Sequence, residues 1–357
     1  MKMKLSSSLR RSKGKSTTTT TTKAASYEGD LKSAIEAVRM ASKLCRRSQQ
    51  QLKQKGVVKK DDSYASPVTV ADLGAQAIVC AFLGQSAPVV AEEDTVFLRS
   101  EKGTELRNRV VELVNGTLDK PMSESEILDA IDVGRSKGGA TGRHWVLDPI
   151  DGTRGFVANR QYAIALALLD KGEPVLGVLG CPNLSLENED LDGGRDSRGG
   201  GYLFLAEKER GAFAVGIEDP EEAPRRIAVN EVEAAEAVYM ESVESLHSDH
   251  AFARKVAETS GIKIEPVRLD SQVKYGVIAS GKASAFMRFP DLSYKEWIWD
   301  HAAGAIIMSE AGGVVTDSTG KKLDFSKGRI LNNETGIVAA PPKLHKKLIE
   351  SIKALKQ

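Results

Sequence analysis

The chain has 357 residues, which is enough for two domains or one large one. Its composition, 41% hydrophobic and 28% charged, is ordinary for a soluble globular protein, and its formal net charge of +1 provides no basic excess for binding nucleic acid. The longest apolar stretch, Tyr162–Leu169, is too short to cross a bilayer. We therefore expect neither a nucleic-acid partner nor a membrane span, and we favour a monomer.

The three cysteines, Cys45, Cys80 and Cys181, are widely spaced and include no C-x-x-C pair. This pattern argues against a disulfide framework or a zinc site and favours buried thiols in a reduced compartment. A regulatory disulfide remains an alternative at this stage.

Residues 1–27 differ in composition from the rest of the chain. They contain seven Lys or Arg, no acidic residue before Glu28, and the hydroxyl-rich runs Ser6–Ser8 and Thr17–Thr22. Such a segment is typical of a transit peptide and predicts a chloroplast or mitochondrial location. The alternative is a disordered tail on a cytoplasmic protein.

Hydrophobic spacing predicts a helical N-terminal lobe that surrounds a short buried strand. The predicted helices span Glu28–Lys55, a stretch that begins at Asp72, Thr104–Leu118 and Ser123–Val133. Asp72 at a helix N-terminus is favoured by free N–H groups, so helix capping alone explains it on spacing. The strand Pro88–Ala91 runs directly into Glu92, Glu93 and Asp94, and a solvated loop is the alternative for these acids.

A second apolar run, from Trp145, ends in two carboxylates three residues apart, Asp148 and Asp151. Two predicted hairpins follow, and the acidic, Gly-rich stretch Asn183–Gly201 predicts an exposed loop. The hairpin strands are Tyr162–Leu169 with Glu173–Gly180, and Tyr202–Ala206 with Gly211–Val215.

The stretch Asp219–Arg226 is the best candidate for a linker, because strands and helices alternate after it. We therefore predict an α+β lobe over residues 28–225 and an α/β lobe over 226–357. The predicted C-terminal strands are 227–229, 238–241, 264–269, 283–288 and 313–316, and the helices are 249–260, 271–280, 300–311 and 342–355.

Acidic residues recur where these elements begin or end. They are Asp72, Glu92, Glu93, Asp148, Asp151 and Asp300. Several carboxylates converge in a fold only around a cation, since their charges otherwise repel each other in a poorly solvated place. No Cys or His clusters with them in the sequence, so hard oxygen ligands favour Mg²⁺ over zinc or copper.

The segment Asp148-Pro149-Ile150-Asp151 adds a backbone ligand, because the rigid Pro149 turns the Ile150 carbonyl towards the metal. Gly152 and Thr153 then begin a helix whose N–H groups face a phosphate, and Thr153 offers a hydroxyl to a nearby water. A multi-metal site that faces a phosphate predicts phosphoester hydrolysis.

Three motifs together resemble the metal-dependent, lithium-sensitive superfamily of inositol monophosphatase and fructose-1,6-bisphosphatase. They are E-E-D at Glu92–Asp94, D-P-I-D-G-T at Asp148–Thr153, and W-D-x-A-A-G with E-A-G-G at Trp299–Gly313. Four further segments are similar to its 3′(2′),5′-bisphosphate nucleotidase branch. They are V-T-V-A-D at Val68–Asp72, the full run Arg143–Thr153, Gln161–Ala167, and L-D-S-Q-V-K-Y at Leu269–Tyr275.

The resemblance implies a layered αβαβα sugar-phosphatase fold and a site with two to three Mg²⁺ ions. Glu92, Asp148 and the Ile150 carbonyl would hold one ion, and Asp148, Asp151 and Asp300 a second. Glu92 and Asp72 would help to hold a third, and Asp72 with Thr153 would orient and deprotonate the attacking water.

The same resemblance implies a nucleotide bisphosphate substrate, adenosine 3′,5′-bisphosphate, hydrolysed to AMP and phosphate, with its 5′-phosphosulfate analogue as a second substrate. The substrate contacts would be Thr153, His247, Ser271, Lys274, Arg288 and Asp300. Taken singly, His247, Lys274 and Arg288 are explained as solvated surface groups. The functional alternatives are an inositol phosphate substrate, against which L-D-S-Q-V-K argues, and a non-catalytic nucleotide sensor.

Overall fold

The computed structural model describes residues 27–54, 67–84, 86–187, 200–243, 248–291, 294–331, 333 and 335–356. The predicted transit segment lies outside these residues, apart from Tyr27 at its end. Within them, no helix combines the length and the apolarity that a membrane span requires.

The described residues form nine α-helices: four before the first long strand, one directly after it, and four in the C-terminal half of the chain. They are α1 (Glu28–Gln54), α2 (Pro67–Leu83), α3 (Thr104–Asn115), α4 (Glu124–Asp132), α5 (Thr153–Val157), α6 (His250–Thr259), α7 (Val273–Ala279), α8 (Ala302–Glu310) and α9 (Pro342–Leu355).

The described strands form one seven-stranded sheet, one five-stranded sheet and a small two-stranded ribbon. The strands of the first sheet, in both chain and spatial order, are β1 (Val89–Ala91), β2 (Arg143–Asp151), β3 (Ala163–Asp170), β4 (Glu173–Cys181), β5 (Tyr202–Glu207), β6 (Gly211–Gly216) and β7 (Arg225–Ile227). The remaining strands are β8 (Tyr239–Glu241), β9 (Val267–Arg268), β10 (Ala285–Arg288), β11 (Glu296–Trp297), β12 (Val314–Asp317), β13 (Ile330–Leu331) and β14 (Ile337–Ala340).

The first sheet is antiparallel except at its first edge, where β1 pairs parallel to β2. The second sheet has the order β12-β14-β10-β8-β9, and β11 pairs with β13 in the ribbon. Both faces of the first sheet are buried, which explains why β3 reads as a continuous apolar run rather than as an alternating one.

Alternate residues of each strand pack on different helix layers, since side chains of a strand point to opposite faces in turn. Trp145 and Leu147 of β2 belong to the core beneath α1 and α2, whereas Val146 belongs to the core shared with α7 and α8. The second sheet covers the other side of that helix pair with Phe286, and a third core joins its outer face to α6 and α9. These layers confirm the predicted αβαβα order.

The middle helix pair packs closely because its contact faces carry small residues. A Cβ atom added to Gly304 of α8 would lie 2.1 Å from Cδ2 of Tyr275 on α7, well inside van der Waals contact. Gly304 therefore lets α7 and α8 lie in direct contact. The three cysteines are all described, buried and unpaired, as the thiol prediction expected.

Several predicted boundaries were wrong for local reasons. Helix α2 begins at Pro67 rather than at Asp72, because proline fits the first helical position, where no N–H bond is needed. Residues 225 and 226 of the predicted linker, together with Ile227, form β7, an edge strand, and the proposed lobe boundary falls inside it. The predicted loop after Asn183 is buried at its first four residues, Asn183 to Leu186, rather than exposed.

Candidate active site

A cavity of about 320 Å³ lies where β1, β2 and α5 meet the segments that enter α7 and α8. Its wall includes nine of the eleven residues that the sequence predicted for the site. They are Glu92, Asp148, Ile150, Asp151, Thr153, Ser271, Lys274, Arg288 and Asp300. The sequence therefore identified most of this wall from residues spread over more than 200 positions.

The parallel pairing of β1 with β2 brings the first two acids together. Val89 lies opposite Trp145 and Ala91 lies opposite Leu147, so Glu92 and Asp148 both follow at the same edge of the sheet. Carboxyl ends of adjacent parallel strands are where α/β folds place ligand groups. Glu92, the first acid of the triplet after β1, therefore lines the cavity rather than belonging only to a solvated loop.

A β-bulge changes the direction of the strand and of its side chains at the end of β2. Asp148 pairs with Ala165 and Asp151 with Ala163, so three residues along β2 correspond to two along β3. A bulge bends a strand and turns its side chains, and bulges are frequent beside active sites. The sequence predicted an apolar run that ends in Asp148 and Asp151, and β2 does end at Asp151, with the bulge between the two carboxylates.

The carboxylates of this edge lie close to each other: Asp148 is buried, with 3% of its surface exposed, Asp151 and Asp300 are half-buried, and Glu92 is partly exposed. Burial, and then the charges of Glu92, Asp151 and Asp300, hold the pKa of Asp148 well above its usual value. Burial, and then Glu93, Asp300 and Asp151, raise the pKa of Glu92 to about 8. Such groups ionise together only when a cation compensates them, because each uncompensated buried charge is costly.

Asp72 is buried in the second turn of α2, with 6% of its surface exposed. Burial, followed by the charges of Glu93 and Glu92, holds its pKa well above the usual value, and Asp72 in turn raises the pKa of Asp148. Asp72 is therefore an interior neighbour of the cavity carboxylates rather than the helix cap that spacing alone would explain.

Asp300 reaches the cavity from the other lobe. It ends a short 3₁₀ turn, Ile298–Asp300, and its Oδ2 accepts the N–H of Trp297 at 3.0 Å. The sequence predicted a helix that begins at residue 300, but α8 begins at Ala302 and His301 occupies its cap position. Burial is the main cause that raises the pKa of Asp300, to about 6.

Thr153 begins helix α5, as predicted, after Gly152 in the left-handed region. Its hydroxyl is 3.4 Å from the Ile150 carbonyl oxygen, at the long limit of a hydrogen bond, and the side chain is exposed towards the cavity. The long distance leaves both groups available to other partners.

Two basic side chains also line the cavity. Lys274 is 4% exposed, and its Nζ donates to the carbonyls of Leu269 and Ser271 at 2.9 and 2.7 Å. An ammonium has three donors, so one remains for a ligand. Burial, opposed by Asp151, lowers the pKa of Lys274 to about 8. Arg288 is the second of these basic side chains.

The loop before α7 is held in an uncommon conformation at Ser271. Its φ of 67° lies in the left-handed region, which a serine adopts only where the surroundings impose it. A Cβ atom on Gly152 would lie 2.9 Å from the Ser271 Cβ, so the two loops that line the cavity touch at this point.

Gly152→Ala is therefore expected to disturb the site. Alanine pays the cost of a left-handed φ, about 1 kcal/mol, and its methyl group pushes Ser271 away from the cavity wall. We expect a loss of about 1–3 kcal/mol in the free energy of unfolding, measured by denaturant titration, and a larger proportional loss of activity. Gly139→Ala is the control, because Gly139 also has positive φ, at 126°, with no atom within 4 Å of its added Cβ. Equal losses in both variants would contradict the proposed contact.

One predicted substrate contact, His247, lies outside the described residues, so its position stays a prediction.

The site also contains a residue, Gln272, that connects the two lobes and that the sequence analysis did not single out. Gln272 donates its N–H to Asp151 Oδ2 at 2.6 Å, its side-chain amide to the Trp299 carbonyl at 2.8 Å, and it accepts the Gly304 N–H at 3.0 Å. Gln272 is part of the L-D-S-Q-V-K segment, but only the fold shows that it joins the two lobes.

Arg329 is a second connector between the lobes. Its guanidinium donates to the carbonyls of Ala91, at 2.5 Å, and of Gly134 and Ser136, at 3.3 and 3.2 Å. The same group stacks on the Trp299 ring, 4.8 Å from its centroid. It therefore ties the strand that precedes Glu92 to the turn that carries Asp300.

The donor set fits a hard divalent cation, although no preformed cage is present. Across the part of the chain that the structure describes, no three or more His, Cys, Asp or Glu side chains already stand in a metal-binding group. Asp148 Oδ1 is buried without a hydrogen-bond partner among those residues, which is the state of an oxygen that awaits a ligand. Repulsion separates like charges when no cation is bound, and carbonyl and water oxygens complete the coordination of Mg²⁺.

Comparisons with known proteins agree with this geometry. The inositol monophosphatase family profile matches residues 26–357. A 3′(2′),5′-bisphosphate nucleotidase of Oryza sativa is 46% identical over 341 residues, which cover 91% of this chain and 94% of the relative. Relatives described as a 3′(2′),5′-bisphosphate nucleotidase in Schizosaccharomyces pombe, and as a probable one in Arabidopsis thaliana, are 38% and 41% identical. These matches each cover 92% of this chain, and 96% and 95% of the relative.

Solved structures show the same fold at low sequence identity. An inositol monophosphatase from Zymomonas mobilis superposes with a TM-score of 0.60 at 18% identity, covering 92% of this chain and 99% of its own. CysQ from Bacteroides thetaiotaomicron, a bacterial member of that family, gives a TM-score of 0.57 at 17% identity, with coverage of 88% and 98%.

Proposed function

The chain belongs to the inositol monophosphatase family, and we propose that it is a Mg²⁺-dependent phosphatase that converts adenosine 3′,5′-bisphosphate to AMP and phosphate. The observation that carries the proposal is the two-sided cavity. Clustered carboxylates, with Asp148 buried among them, line one part of its wall, and Lys274 and Arg288 line another. A substrate with two phosphates places one at each part, and the curated relatives named above are 3′(2′),5′-bisphosphate nucleotidases.

The carboxylate part of the wall would hold two to three Mg²⁺ ions. Glu92, Asp148, Asp151, Asp300 and the Ile150 carbonyl are the groups that would hold them, with Asp72 contributing through water. When bound, the ions lower the pKa of a coordinated water and neutralise charge on the transferred phosphoryl group.

The chain's own residues then orient the attack. In this proposal the Thr153 hydroxyl accepts a hydrogen bond from the attacking water and donates its own proton in a hydrogen bond to Asp72. Asp72 suits the role of proton acceptor, because its burial and its acidic neighbours hold its pKa well above the usual value. The water attacks the 3′-phosphorus in line with the departing ribose oxygen, and the P–O bond to that oxygen breaks.

The cationic part of the wall would bind the phosphate that is not cleaved. Lys274 offers one free ammonium donor, and Arg288 offers a planar fork that matches two phosphate oxygens. Ser271, held at positive φ between them and Gly152, would add a hydroxyl. The same contacts accept a 5′-phosphosulfate, so we propose the phosphosulfate analogue as a second substrate. His247 would add a contact from outside the described residues.

A comparison of kcat/KM on a small phosphate panel tests the substrate proposal. We expect adenosine 3′,5′-bisphosphate to exceed adenosine 3′-monophosphate by tenfold or more, about the worth of one charge-assisted hydrogen bond, and to exceed inositol 1,4-bisphosphate as well. Higher kcat/KM on the inositol phosphate would assign the same site to the alternative substrate class. Tight nucleotide binding by calorimetry without turnover would instead support a sensor.

A further inference from the structure

A chain of buried polar side chains runs from Arg288 in the cavity wall into the interior. Arg288 Nε lies 3.2 Å from Glu296 Oε1, and His301 Nε2 lies 3.6 Å from the same oxygen. His301 Nδ1 is 3.0 Å from the Tyr275 hydroxyl, and the Asn333 side-chain amide donates to Glu296 Oε2 at 2.8 Å. Glu296 is only 1% exposed, so its Oε2 accepts a hydrogen bond from Asn333 while its Oε1 faces Arg288 and His301 at ion-pair distance.

Glu296 stays ionised in this position. Burial alone would raise its pKa, but the charge and hydrogen bond of His301, the charge of Arg288 and the Asn333 amide outweigh burial and hold the pKa below its usual value. A buried arginine needs such a partner, since an uncompensated buried cation is costly.

The partner matters because the same cavity also contains the metal-site carboxylates. Arg288 feels the charge of Asp300 as well as that of Glu296. Attraction between opposite charges is strong in a poorly solvated cavity, so an arginine without a fixed closer partner would be drawn to Asp300. Glu296 gives Arg288 a fixed partner other than the metal-site carboxylates.

The anchored arginine keeps capacity for an anion. Its Nη2 is buried and has no hydrogen-bond partner within the described ranges, and the guanidinium lies 4.9 Å from the centroid of the Tyr294 ring. Five N–H donors are too many for one carboxylate to satisfy, so the free donors can meet a phosphate.

We infer that Glu296 is a positioning residue for the uncleaved phosphate of the substrate, acting by holding the guanidinium of Arg288 in the cavity wall and away from Asp300. The inference rests on the proposed function, and it concerns affinity for the second phosphate rather than the hydrolytic step.

Glu296→Gln tests it, because the amide keeps the shape and a bond to Asn333 but removes the ionic anchor. We expect KM for adenosine 3′,5′-bisphosphate to rise about tenfold, with kcat within about twofold. KM for adenosine 3′-monophosphate, which lacks the 5′-phosphate, should not change. Equal rises on both substrates would indicate general damage to the fold and overturn the inference. A lower KM on the bisphosphate would show that Glu296 merely repels the phosphate, and would also overturn it.

A matched control is Glu265→Gln. Glu265 also pairs with an arginine, Arg254, at 2.9 Å, but 79% of its side chain is exposed. This change should leave both KM values as they are. If Glu296→Gln does not fold, Glu296→Asp serves, since it keeps the charge but withdraws it from Arg288, and the same split between the two substrates is expected.

A double-mutant cycle shows whether Glu296 acts through Arg288. In an Arg288→Lys background, Glu296→Gln should raise the dissociation constant for AMP, measured by calorimetry, by less than about twofold. In the wild-type background it should raise this constant about tenfold, and a full tenfold rise in both backgrounds would overturn the coupling. A wild-type protein that makes no distinction between the two substrates refutes the proposed function itself. Preference in the wild type that survives Glu296→Gln refutes only the inference.

Discussion

Asp151→Asn is expected to lower turnover by about a thousandfold while the protein stays folded. Asp151 lies at the end of the β2 bulge, lines the cavity and accepts the Gln272 N–H, a bond that an asparagine oxygen still accepts. The lost negative charge weakens Mg²⁺ binding and removes about 4 kcal/mol of stabilisation from the transition state. Steady-state phosphate release measures the loss.

A binding measurement separates this effect from misfolding. The melting temperature of metal-free Asp151→Asn should not fall, because burial disfavours the charged Asp151 carboxylate and its charge in turn raises the pKa of the buried Asp148. The rise in melting temperature that Mg²⁺ causes in the wild type should shrink, since a ligand that binds only the folded state stabilises in proportion to its affinity. Asp119→Asn, at an exposed loop position, should behave as the wild type. An active Asp151→Asn enzyme would show that the metal assignment is wrong.

Lys274→Ala is expected to raise KM for adenosine 3′,5′-bisphosphate about tenfold to a hundredfold, with kcat much less affected. The ammonium supplies one charge-assisted hydrogen bond to a phosphate remote from the bond that breaks, so its loss weakens binding in the ground and transition states alike. A loss confined to kcat would contradict this role.

The same substitution should also lower stability, by about 1–3 kcal/mol, because the carbonyls of Leu269 and Ser271 lose their donor. Denaturant titration measures this cost separately from the kinetics. Lys282→Ala is the matched control, since Lys282 follows the same helix and is exposed. It should change neither KM nor stability.

The sequence predicted many residues of the cavity wall because these residues stand in short motifs with local causes. Asp148, Pro149 and Asp151 make a corner within four positions, and α9 was predicted over 342–355, the range that it occupies. The bulge at Pro149 was not predicted, since it depends on pairing with β3, a strand that comes later in the chain.

Contacts between residues far apart in the chain could not be predicted from local sequence patterns. Gln272, Glu296 and Arg329 are ordinary polar residues in the sequence, and each acquires its role from partners 27 or more positions away, such as Trp299, Asn333 and Ala91. Likewise, spacing gave Lys274 as a solvated charge, whereas the fold buries it beneath the loop before α7. The roles of these residues depend on burial by segments that are distant in the sequence, and local periodicity does not reveal such burial.

Phosphate release from adenosine 3′,5′-bisphosphate, followed with Mg²⁺, then with excess chelator, and then with Mg²⁺ restored, tests the central claim most directly. The carboxylate wall predicts release that stops when the metal is removed, returns when it is restored and falls when Li⁺ is added. Absence of release with Mg²⁺, or release that continues in the chelator, would contradict a metal-dependent phosphatase built on Glu92, Asp148, Asp151 and Asp300.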